Sequence, residues 1–319
     1  MRANISLQLT AGILIAAAIL AYGQGKDFKS SSAAVRIKVT ILGSGGGPRP
    51  NPVRYGISIL VEAEGERLLF DCGRGAAIRL AQAGIREGEV DKVFLTHLHS
   101  DHILSIPDLL LAGWGEQGRN TPLRVWGPTG TKSMMDNLLK AFEFDIHIRR
   151  DVDEKFSKEG ITVAATDIQE GTIYQNRGVK VTAFLVDHGP VKPAFGYRVD
   201  AGGHSVVMSG DTRFSENLIK YASGVDVLIH EVGGRDISGF LASGLTREQA
   251  ESIIDHHTSP EQTGIVFERT KPRLAVYAHG GNAAAVADAR KTYAGPLEVA
   301  DDLSTILVGE KVEFMRPVQ

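Results

Sequence analysis

The chain has 319 residues, 43% hydrophobic and 23% charged, values of an ordinary globular protein that exclude disordered and fibrous classes. A formal net charge of −3 offers no general attraction to nucleic-acid phosphates. The single cysteine, Cys72, excludes an internal disulfide framework and any zinc site built from several thiolates.

Residues 1–23 read as an export signal. Arg2 supplies a short basic start, and an apolar run from Ala11 to Tyr22 follows. That run is shorter than the roughly 20 apolar residues a membrane span needs. Ala21-Tyr22-Gly23 then offers small residues for a cleavage site. The alternatives are an uncleaved anchor or a buried helix. Residues 24–34, with Ser30-Ser31-Ser32, read as a flexible linker, and 35–319 as one catalytic domain. The expected location is periplasmic or secreted, membrane-anchored if the leader stays.

Beyond the linker, residues 35–41 alternate apolar and polar with period two, as a half-buried strand does. Strands are expected again at 56–61 and 67–70, then a helix at 76–83 and a strand at 92–95. A helix at 103–111, a strand at 123–126 and the longest helix, 131–144, come next. Strand patterns recur at 179–186, 195–199, 205–208 and 225–229. Helices at 246–254 and 260–269 precede a strand at 274–277. Strands and helices mixed throughout argue for sheets sandwiched between helices in one domain. The run Gly43-Ser44-Gly45-Gly46-Gly47 lacks the Lys-Ser/Thr of a nucleotide loop, and Pro48 and Pro50 oppose a helix behind it. It reads as a wide glycine turn with backbone amides to offer an anion.

Thr96-His97-Leu98-His99-Ser100-Asp101-His102 sits between an apolar strand and an apolar helix. On extended backbone His97 and His99 point to one side and can grip one metal ion, while the turn into the helix swings Asp101 and His102 to a neighbouring point. Two ions need further ligands from other strand ends. His188, Asp211 and His279 each stand where an apolar strand meets glycine. Ligands converging from separate strand ends suit a rigid scaffold.

This pattern resembles the metallo-β-lactamase superfamily of dinuclear metal hydrolases, from about Val35 to His279. The resemblance implies a four-layer αββα sandwich, an α/β fold with the site at one edge. It implies that His97, His99 and His188 hold one metal and Asp101, His102 and His279 the other, with Asp211 bridging. Imidazole and carboxylate ligands without thiolate suit two Zn²⁺, with Mn²⁺ or Fe²⁺ as the alternative at one site. Histidine at position 99, where flavodiiron relatives carry glutamate, argues against iron redox chemistry. Asp211 argues against β-lactam hydrolysis, because β-lactamases of this fold usually carry Cys or Ser there.

Within the superfamily, the segments around Asp71-Cys72-Gly73-Arg74, His188, Ile229-His230-Glu231 and His257-Thr258-Ser259 are similar to ribonuclease Z and the zinc arylsulfatases. That similarity implies a proton-shuttling pair, His257 with Glu231, and His256 is the alternative partner. Asp101 would orient the nucleophile. Asp71 is a second candidate beside the metals, fixing a ligand imidazole. The stretch between His188 and Asp211 is too short for the basic tRNA-gripping arm of ribonuclease Z and reads as a plain hairpin.

The expectation is therefore an exported, arylsulfatase-like hydrolase of sulfate or phosphate esters. The rival readings are a ribonuclease Z-like phosphodiesterase, a lactonase or a carboxylic-ester or thioester hydrolase, and non-enzymatic zinc binding. The expected partner is a small anionic ester met by Arg54, Arg74 and Lys192, with Trp114 or Trp126 stacking on an aryl group. No nucleic acid and no stable membrane association after signal cleavage are expected, and a homodimer is left open.

Overall fold

Alternation along the strands divides their side chains between two apolar layers. In the computed structural model, which describes residues 35–234 and 236–317, one sheet starts with β1 (Ile37–Gly43), β2 (Ser58–Ala63), β3 (Glu66–Phe70), β4 (Lys92–Phe94), β5 (Leu123–Gly127) and β6 (Val163–Asp167). A second sheet takes β7 (Gly171–Asn176), β8 (Val179–His188), β9 (Val191–Ala201), β10 (His204–Met208), β11 (Val227–Val232), β12 (Leu274–Gly280) and β13 (Leu297–Val299). The chain then returns to the first sheet as β14 (Ser304–Val308) and β15 (Val312–Met315). The spatial orders are β15-β14-β1-β2-β3-β4-β5-β6 and β13-β12-β11-β10-β9-β8-β7. The expected leader and linker lie outside the described residues.

In β2, Ile59 and Val61 face the layer between the sheets while Leu60 faces outward, and β3 repeats this with Leu68 and Phe70 against Leu69. The outer layer of the first sheet is closed by α1 (Ala76–Gln82), α3 (Ile106–Trp114), α4 (Thr131–Ala141) and α5 (Glu143–His147), with α2 (Ser100–Ile103) at the strand ends. The second sheet is covered by α6 (Glu216–Ala222), α9 (Pro260–Thr270) and α10 (Ala283–Ala289). Between α6 and α9 lie α7 (Ser238–Ala242) and α8 (Arg247–Asp255). The result is the expected αββα sandwich. Among the described residues no helix is long and apolar enough to cross a membrane.

Topology decides where a site can form. β3 to β6 pair in parallel, as do β10 to β13, and β8 runs in the direction of β10 through antiparallel β9. Hence β3, β4, β8, β10, β11 and β12 each end beside a segment that carries chemistry, the arrangement from which open α/β sheets build ligand crevices.

Two helices differ from expectation. The apolar run 103–111 spans a break, because Pro107 occupies the first turn of α3, where its missing N–H costs nothing. The run 131–144 ends at Ala141 and continues as α5 and a π-helical turn, Ile148–Val152. The tryptophans are structural. Trp114 is buried, its indole N–H donating to Ser157 O at 2.7 Å, and Trp126 stacks on Phe94 at 4.8 Å.

Phe94 is fully buried and also stacks on Phe70 at 5.0 Å, with Tyr174 and Tyr197 at its edges. Replacing it with alanine should cost about 3–5 kcal/mol. Urea unfolding is expected to show a lower midpoint at constant slope; an unchanged midpoint would contradict this role for the aromatic cluster.

Candidate metal centre

The segment Leu95–His99 leaves β4 and is pinned across to the second sheet. Tyr197 Oη donates to Leu95 O at 2.6 Å, and Phe195 N–H donates to Thr96 O at 2.9 Å. On this fixed backbone His97 is fully buried and His99 is partly exposed toward the crevice. The first turn of α2 then places Asp101 and His102 on the other side of the crevice. His188, the last residue of β8, meets them from the second sheet: its Nε2 lies 3.3 Å from His99 Nδ1, and its Nδ1 faces His256 O at 3.0 Å.

Asp211, just beyond β10, stands at the centre. Its Oδ2 lies 3.3 Å from His279 Nε2, 3.4 Å from His102 Nε2 and 4.0 Å from His97 Nε2. Asp101 Oδ2 lies 3.3 Å from His279 Nε2 and accepts the Gly47 N–H at 2.8 Å. The donor atoms of His97, His99 and His188 lie within 4.8 Å of one another, as do those of Asp101, His102 and His279, and of His97, His102 and Asp211. All the ligand positions read from the sequence thus come together in two adjoining clusters with Asp211 between them.

The residues around them hold this geometry. Asp71 Oδ2 accepts from His102 Nδ1 at 2.8 Å, and Asp71 Oδ1 accepts the Thr96 N–H at 2.8 Å. Asp71 and His279 both have left-handed backbone, φ 55° and 65°, a conformation that costs a non-glycine residue of order 1 kcal/mol and persists only where neighbours enforce it. His279 N–H donates to Ser44 O at 3.1 Å. A side chain on Gly46 would meet the His279 ring at 2.7 Å, so glycine lets the loop press flat against this imidazole. Ser44 is itself held by Asp302, which accepts its N–H at 2.9 Å and its hydroxyl at 2.8 Å. Asp302 also accepts the Tyr55 N–H at 2.7 Å and pairs with Arg79. One buried carboxylate therefore clamps both ends of the glycine loop. Sequence reasoning missed it, because an Asp pair between two short strands carries no signal of its own.

The charges fit cations. Burial holds the His97 imidazole well below its ordinary pKa and pushes His188 down to about 4, so both keep a lone pair free. Burial alone would raise the carboxyls of Asp101 and Asp211, but the facing imidazoles outweigh it and hold both well below the usual range. The Nε2 atoms of His97 and His102 are buried without a hydrogen-bond partner, a deficit that a metal ion removes. Nitrogen and oxygen donors without sulfur suit a divalent metal such as zinc.

Glu231, buried at the end of β11, accepts the Thr258 N–H at 2.8 Å. His257 Nδ1 lies 3.2 Å from Glu231 Oε2, close enough to pair although not aligned as a hydrogen bond. Burial disfavours the imidazolium, yet Glu231 and Asp211 outweigh it and lift His257 to about 9. His256 and His257 both line the cavity over the centre, and His257 is the one that faces Glu231.

Two cavities meet at Gly46, Gly47 and Asp101. One, of about 500 Å³, is lined by His99, Asp211, His257 and His279; the other, of about 190 Å³, by Arg49, Arg54 and Arg74. Arg54 is paired with Asp301 at 3.3 Å, and Arg74 is exposed. Lys192 is exposed on β9 and lines neither.

A family model described as a beta-lactamase superfamily domain matches residues 66–279. A ribonuclease Z of Mycolicibacterium gilvum is 36% identical over 245 residues, 76% of this chain and 84% of that protein. A ribonuclease Z of Mycobacterium bovis is 32% identical over 284 residues, 85% of this chain and 98% of that protein. Among solved structures, the metallo-β-lactamase fold protein YhfI of Bacillus subtilis superimposes with a TM-score of 0.64 at 19% identity, covering 85% of this chain and 98% of that one.

These likenesses correct three expectations. The arylsulfatase-like reading gives way, because the curated relatives at 32–36% identity are named as a ribonuclease. The exclusion of nucleic acid, with a small ester in its place, falls for the same reason. It rested on net charge and on the missing arm. β8 and β9 do form a plain hairpin, but the M. bovis relative is matched over 98% of its length and leaves little room for a long segment that this chain lacks. Overall charge is likewise a weak guide when arginines gather beside the site. The periplasmic location is also withdrawn: the curated relatives are named ribonuclease Z, and the leader invoked for export lies outside the described residues.

Asp71→Ala should weaken zinc binding by roughly 10–100-fold, since a ligand imidazole loses the partner that orients it. Competition titration against a chromophoric chelator checks this, and unchanged affinity would contradict it.

Proposed function

The chain belongs to the beta-lactamase superfamily of metal-dependent hydrolases, and from that premise we propose that it is a ribonuclease Z-like phosphodiesterase that cleaves RNA with two zinc ions. The observation that carries this reading is the shared carboxylate: Asp211 Oδ2 stands within 3.3–4.0 Å of imidazole nitrogens of His279, His102 and His97. His97, His99 and His188 would hold one ion, Asp101, His102 and His279 the other, with Asp211 common to both. When bound, the ions supply an acidified water and neutralise charge on the phosphoryl oxygens.

The chain's own residues do the rest. Asp101, fixed by the Gly47 N–H, orients the attacking water and takes its proton. As the water oxygen bonds to phosphorus, the bond from phosphorus to the departing oxygen breaks. His257 gives that oxygen a proton, and Glu231 holds the imidazole in place and balances its charge. The amide of Thr258 keeps the Glu231 carboxylate from turning away.

A ribose oxygen leaves poorly without a proton, whereas p-nitrophenolate leaves without one. His257→Ala should therefore lower kcat on an RNA strand by about 10²–10⁴-fold and affect bis(p-nitrophenyl) phosphate far less. Equal losses on the two substrates would remove His257 from the role of proton donor.

A further inference from the structure

Helices α7 and α8 do an unusual thing with their apolar side chains. A short surface helix normally buries its apolar stripe in a core. Here Phe240, Ile253 and Ile254 belong to none of the three apolar cores and stay half-buried, facing the cavity of about 500 Å³. The wall they make is anchored. Thr246 and Gln249 form a capping box at the start of α8, and Arg213 Nε donates to Asp255 O at 2.8 Å at its end.

Among the described residues lining that cavity there is no Lys or Arg, whereas the adjoining cavity of about 190 Å³ is lined by Arg49, Arg54 and Arg74. The two share the Gly46-Gly47 and Asp101 wall, so a strand crossing the centre has an apolar side and a cationic side. His257 opens into the apolar one. On the phosphodiesterase reading a departing oxygen receives its proton in the cavity that Phe240, Ile253 and Ile254 also line.

Building on the phosphodiesterase reading, we infer that α7 and α8 form the leaving-group subsite: the departing nucleoside rests its base on Phe240 while the retained, charged part of the strand runs toward the arginines. An uncharged flat base fits the apolar wall, and a phosphate does not. Phe240 is then a specificity-determining residue for the group that leaves.

Two small diesters separate the sides of the cut. Methyl p-nitrophenyl phosphate and bis(p-nitrophenyl) phosphate both release p-nitrophenol and differ in the retained group. With the zinc-loaded protein, Phe240→Ala should raise KM about tenfold on both, as loss of one stacking contact does, with a smaller effect on kcat. Phe240→Trp, which keeps the stacking face, should restore KM. A rise confined to bis(p-nitrophenyl) phosphate would place the retained group on the wall and overturn the assignment, as would an unchanged KM on both. Wild-type protein inactive on both diesters and on RNA would instead overturn the phosphodiesterase reading and the subsite with it.

Discussion

Two carboxylates and five imidazoles gather where the two sheets end, most of them buried, and they satisfy one another only in part. Imidazole nitrogens of His97 and His102 point inward without hydrogen-bond partners, while Asp211 and Asp101 carry charge out of water. Uncompensated, such a cluster costs several kcal/mol per group. Cations between the clusters would convert that cost into binding free energy, and much of the surrounding structure serves to keep the donors apart and aimed.

That service is visible in three places. Tyr197 and Phe195 of the second sheet hold the loop after β4, so a histidine cluster made by one sheet is positioned by the other. Asp71 and His279 keep left-handed backbone, strain that only over-determined surroundings retain. Asp302 fixes the glycine loop, which in turn touches both Asp101 and His279. A carboxylate far along the chain thus acts on the centre through backbone alone.

Most inner strands, and the histidines and aspartates that converge at their ends, were legible because period-two apolar runs and closely spaced histidines are strong local signals. The strands that escaped were β14 and four edges. β6, β7, β13 and β15 are the four sheet margins, and a margin strand is covered less completely and tolerates polar residues such as Thr166, Thr172, Gln175 and Asn176. Asp302 and the wall of Phe240, Ile253 and Ile254 escaped for another reason: their meaning depends on contacts far apart in sequence. The substrate was misjudged by letting a whole-chain charge stand for a local field, where three arginines line one cavity beside the centre.

The central claim is that Asp211 joins two metal ions in one centre. Native mass spectrometry of the zinc-reconstituted protein counts them directly. Two zinc ions per wild-type chain, and fewer in Asp211→Ala, are the expected result. A single ion in the wild type, or an unchanged count in Asp211→Ala, would contradict a shared dinuclear centre.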